Sequence, residues 1–179
     1  MKLPSREEAE KLLKDYITDD YLIKHSHMVA KGLEAYANKL NENIELWYIT
    51  GLLHDLDYYQ FPTEHPAKSV EWFKTWDFEP ILIHAISAHG NNEPRIIPDS
   101  LLAKYLIAVD ELTGLLHAYS LMRPTGYFGM ESKSAIKKFK DKAFAAKIDR
   151  NEIMYGVNLL GIDLKEHIDF LIGQFKPTI

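Results

Sequence analysis

Apolar residues recur at three- and four-residue spacing along almost the whole chain, the period of amphipathic helices, and no segment carries a strand pattern. Ser5 caps a first predicted helix, with Glu7 and Glu8 in its positive first turn, running to about Tyr16. Asp19 or Asp20 caps a second, to about Leu40, whose stripe is Leu22, Val29, Leu33, Tyr36 and Leu40. A third carries Leu46, Trp47, Ile49, Leu52 and Leu53 from near Ile44 to His54-Asp55, where the segment from Asp57 to Pro62 stops it. Thr63 or Glu64 begins a fourth, with Pro66 in its first turn, to about Trp76. The fifth runs from about Pro80 to His89 and meets Gly90, a C-terminal cap signal. Asp99 or Ser100 caps a long helix to about Leu121, and a lysine-rich helix follows from about Ser132 to Lys147. The pairs Asp149/Glu152 and Asp163/Glu166 read as capping boxes for two last helices, ending near Gly161 and Phe175. The expected architecture is all-α: a single domain over residues 1–179 with about eight or nine helices.

Polar residues set into the apolar faces change the picture. His25 lies within the stripe of the second helix, three residues after Leu22 and four before Val29, whereas His27 falls about 200° further round. His54 and Asp55 end the apolar run of the third helix, and His89 shares a face with Leu82, Ala85 and Ile86. Asp110 interrupts the stripe Ala103, Leu106, Ile107, Gly114, in mid-helix, where aspartate has poor propensity and no local role. A carboxylate on a buried face needs a cation or hydrogen bonds to offset its desolvation. His25, His54-Asp55 and Asp110 come from three different helices, the way metal sites form inside helical folds. His27, His84, His117 and His167 are expected to be structural or surface residues.

Composition narrows the chemistry. Hydrophobic content of 46% and charged content of 26% are ordinary for a globular chain. No run approaches the roughly 18 apolar residues of a membrane span, and the first residues hold no signal-peptide core. Cysteine is absent, so thiolate ligands and disulfides are excluded and a metal has only His, Asp and Glu to hold it. That composition fits the cytoplasm, and a net charge of -5 argues against nonspecific nucleic-acid binding.

The order His25, His54-Asp55, Asp110 resembles the HD superfamily of metal-dependent phosphohydrolases. Lys24-His25-Ser26 with Val29, Gly51-Leu52-Leu53-His54-Asp55, and Ala108-Val109-Asp110-Glu111-Leu112-Thr113 are similar to its signature segments. His65 in Glu64-His65-Pro66 and His89 in Ala88-His89-Gly90 resemble the additional ligands of its dinuclear members. The resemblance implies a helical HD-type domain with a metal-site core over about residues 20–120 and C-terminal helices, about 132–175, packing on it. It implies one or two divalent transition metals (Mn, Fe, Ni, Co or Zn) per chain. His25, His54, Asp55 and Asp110 would hold the first; His65, His89 and a bridging Asp55 would hold the second. Asn91-Asn92-Glu93-Pro94 stands where cyclic-dinucleotide phosphodiesterases of the family carry Gly-Tyr-Pro, which argues against that activity. Asp57 is the nearest match to the acidic residue that serves some members as candidate general base.

The implied function is hydrolysis of a phosphoester in a small molecule, with nucleotides among the candidates, through metal-activated water; Asp55 and Asp57 are the candidate catalytic residues. Arg123 and Lys137 are candidates for holding the anionic substrate, although Ile136, Phe139 and Ala143 make the lysines flanks of an ordinary amphipathic helix. Tyr58 and Tyr59 follow the metal pair directly and are expected in the core, with a place in the substrate pocket as the alternative. Two rival functions share these ligands: a di-iron oxygenase of the HD fold and a non-catalytic nucleotide-binding regulatory domain.

Overall fold

The computed structural model describes residues 1–90 and 94–176. Among them are nine helices: α1 (Arg6–Tyr16), α2 (Asp20–Leu40), α3 (Ile44–Leu53), α4 (Ala67–Thr75), α5 (Pro80–His89), α6 (Leu101–Leu121), α7 (Ser132–Lys140), α8 (Arg150–Leu160) and α9 (Leu164–Phe175). No strand forms among the described residues, only an isolated bridge between Lys2 and Phe78. No helix among them is long and apolar enough to cross a membrane. The chain divides into two compact units, Met1–Leu106 and Ile107–Ile179.

The first unit is organised around α3. Leu46, Trp47, Ile49, Thr50, Gly51, Leu52 and Leu53 are all buried, so this helix is covered on every side, and its polar ends are where chemistry can surface. Helices α1, α2 and α5 pack against it. Gly51 permits a close approach of α2: a Cβ there would lie 2.7 Å from the Ala30 Cα. The helix bearing His25 is thereby drawn against the helix that ends in His54. Starts are fixed by side-chain oxygens on otherwise orphaned amides. Ser5 and Glu8 form a reciprocal capping box on α1, Asp19 accepts from Leu22 N–H on α2, and Asn43 from Leu46 N–H on α3.

The second unit closes on its own contacts. A Cβ on Gly156 of α8 would fall 2.5 Å from Ala108 Cα, so these two helices touch backbone to backbone. His167 of α9 is buried, and its Nε2–H donates to the Ala108 carbonyl at 2.8 Å, which makes it structural. The Asp169 carboxylate accepts from Ser132 N–H at 3.2 Å and joins α9 to the start of α7.

Two boundaries differ from the sequence expectation. Helix α4 begins at Ala67, not at Thr63 or Glu64: Pro66 occupies the N-cap position, and a proline disfavours helical geometry in the residue before it. Helix α7 ends at Lys140, not Lys147. Beyond it Arg150 gathers the carbonyls that a continuing helix would have used, donating to Asp141, Ala145 and Ile148 at 3.2, 2.6 and 2.8 Å. The sequence Asn91-Asn92-Glu93 lies outside the described residues.

Candidate metal centre

Two histidines reach the centre by the same local device. His54 is the C-cap of α3 and His89 the last residue of α5, where backbone carbonyls lack helical partners. The Nδ1–H of His54 donates to the Gly51 carbonyl at 2.8 Å, and that of His89 to the Ile86 carbonyl at 2.6 Å. Each bond fixes the ring, and in the neutral form it leaves Nε2 unprotonated and turned away from the helix.

His65 has no helix end behind it. It stands in the turn before α4, and its Nδ1–H donates to Asp57 Oδ1 at 2.6 Å. The result is the same: Nε2 faces the centre. His25 approaches from α2 with an 11% exposed side chain, and its ring centroid lies 5.3 Å from that of His54.

Asp55 sits where the four imidazoles meet. Its carboxylate oxygens lie 3.3 Å from His54 Nε2, 3.3 Å from His65 Nε2, 3.6 Å from His89 Nε2 and 3.9 Å from His25 Nε2. The Nε2 atoms of His65 and His89 are themselves 3.0 Å apart. Ligand atoms of His54, Asp55 and His89 all fall within 4.8 Å of one another. Burial raises the Asp55 carboxyl, but the neighbouring imidazoles, His54 foremost, outweigh it and hold it well below the usual carboxylate range. Burial lowers the His65 imidazole, yet its bond to Asp57 and the charge of Asp55 outweigh that and raise it.

The donor set fits a divalent cation. Nitrogen lone pairs that face each other across 3.0 Å, beside an ionised carboxylate, repel unless a proton or a metal lies among them. Imidazole and carboxylate together suit Mn, Fe, Co, Ni and Zn. The outward nitrogens of His54, His65 and His89 already hold the acceptors that ligating histidines use to fix their tautomer.

The other sequence candidates are placed as follows. Asp110 is half-buried on α6 in the second unit. Asp57 is wholly buried, and both its carboxylate oxygens accept hydrogen bonds, from His65 and from Ser69 N–H. Ser69, twelve residues further on, gave no local sequence signal. Arg123 holds its own loop, donating to the carbonyls of Gly126 and Phe128, each at 2.9 Å. Lys137 is exposed on α7, in the second unit with Arg123. Tyr58 and Tyr59 are not core residues: they are 43% and 46% exposed, and the Tyr58 ring stands nearly perpendicular to that of His65 with centroids 5.3 Å apart.

A family model described as HD domain matches residues 22–115, just over half of the chain. Searches of curated proteins and of solved structures found no match. HD domains bind divalent metals, and the match spans the helices and turn that carry His25, His54-Asp55, His65 and His89. On that match and this donor set, the chain belongs to the HD domain family, whose members are mostly metal-dependent hydrolases.

Proposed function

We propose that the chain is a dinuclear metal-dependent phosphohydrolase acting on a phosphoester in a small molecule, with nucleotides the first class to try. His25, His54, Asp55 and Asp110 are assigned to one metal; Asp110 enters on the order of the family's motif segments. His65, His89 and a bridging Asp55 are assigned to the other. The observation that carries the reading is the convergence of four imidazole Nε2 atoms within 3.9 Å of the Asp55 carboxylate. A divalent metal held there would supply polarisation of a phosphoryl oxygen and a water of lowered pKa, hence a nucleophile near neutral pH.

The chain's own contribution is orientation and charge. Asp55 offers oxygens to both groups of histidines, and the backbone bonds of His54 and His89 keep those rings from turning. Tyr58 supports the nucleotide class, since an exposed ring beside His65 offers a face on which a base can stack. Absence of cysteine accords with a cytoplasmic setting.

The test is an assay of bis-p-nitrophenyl phosphate, p-nitrophenyl phosphate and nucleoside mono-, di- and triphosphates with the metal-reconstituted protein. Metal-dependent release of nitrophenol or phosphate is expected. Oxygen consumption by iron-loaded protein, without hydrolysis of any of these esters, would replace the reading with an oxygenase.

A further inference from the structure

We propose that Asp57 is a positioning residue: its carboxylate sets the ring of His65 so that Nε2 is a metal ligand, and it is not the proton acceptor of the reaction. The inference rests on the dinuclear assignment of the previous subsection. It replaces the general-base role that the sequence resemblance suggests for this residue.

The geometry separates the two roles. A general base needs a lone pair within hydrogen-bond reach of the reacting water, directly or through one more water. The Asp57 side chain is 0% exposed; Oδ1 accepts from His65 Nδ1–H at 2.6 Å and Oδ2 accepts from Ser69 N–H at 3.0 Å. The reciprocal bond, Asp57 N–H to Ser69 Oγ at 3.0 Å, locks the residue to the first turn of α4. Asp57 therefore caps α4 from outside and ties that helix to the turn bearing His65.

His54 and His89 are oriented by carbonyls of their own helices, which side-chain substitutions leave in place. Of these three rings, His65 alone is oriented by a side chain. Two donors, an imidazole and an amide, use two different oxygens, so the residue must be a carboxylate. An asparagine presents one acceptor and one NH2 group. When the NH2 faces His65, Nδ1 must accept, the proton moves to Nε2, and the ring no longer ligates.

The experiment is 15N NMR of the histidine side chains in the metal-stripped chain, taken on the alkaline side of the transition that the spectra themselves show, where each ring is neutral and its tautomer can be read. Wild type is expected to show His65 as the Nδ1–H tautomer; an Nε2–H signal there overturns the proposal without any variant. Asp57→Asn is expected to move His65 toward Nε2–H while His54 and His89 stay as they are, and Asp57→Glu to restore it. Titration with Mn2+ alone should then find one of two sites weakened about 10–100-fold in Asp57→Asn and the other unchanged. An unaltered His65 tautomer in Asp57→Asn overturns the positioning role. Fewer than two sites in wild type would instead remove the dinuclear assignment, and the tautomer readout would still decide what Asp57 does to His65.

Discussion

Replacing Asp55 by alanine is expected to abolish metal binding and to lower phosphoester hydrolysis by at least about 10³-fold, roughly 4 kcal/mol of transition-state stabilisation. Four imidazole nitrogens lie within 3.9 Å of this carboxylate, so its loss removes the one anion they share. Asp57 cannot take over, since both its oxygens are engaged by His65 and Ser69. Asp55→Asn should fail almost as badly: the amide keeps the shape but is neutral, and its NH2 would occupy the place of a ligating oxygen. Helical content should survive in both, because α3 is held by buried apolar residues along its length and Asp55 lies beyond its end. Circular dichroism and elemental analysis on the same samples check this. Retained metal and activity in Asp55→Ala would remove the site.

Stripping the metal is expected to lower thermal stability as well as activity. A metal bound at 100 times its Kd stabilises the folded chain by about 2.7 kcal/mol, because the unfolded chain lacks the preformed cluster. For a chain of this length that is a fall in Tm of about 5–10 °C on chelation. The shift should be reversed by adding the metal back and should be missing from Asp55→Ala. The fold itself should persist without metal, since a proton on His65, which Asp57 and Asp55 favour, can replace the missing cation. Differential scanning calorimetry with and without chelator gives the answer; an unchanged Tm in wild type would contradict a metal held at this cluster.

Much of this architecture is legible in the chain because helix ends are marked locally. Ser5 with Glu8, Asp19 and Asp163 each cap the helix that the pattern assigns to them. Where a boundary is set from a distance, the pattern overshoots. Lys-rich α7 reads as continuing to Lys147 because nothing nearby stops it, and the Arg150 guanidinium that collects the following carbonyls belongs to the next helix. The same division holds at the candidate metal centre. His54-Asp55 and His89 stand out because each ends an apolar run, and His25 because it interrupts one. The pairing of Asp57 with Ser69 is not legible, for the two residues have no helical-period relation. Arg123 illustrates the converse: a cation beside a turn suggests an anion site, and the pattern gives no sign that its guanidinium donates to the carbonyls of its own loop.

The most direct test of the central claim is elemental analysis of the untagged protein after reconstitution with Mn, Fe, Co, Ni or Zn. Two metals per chain are expected, falling to one in His89→Ala. A chain that holds no metal under any of these conditions would contradict the account.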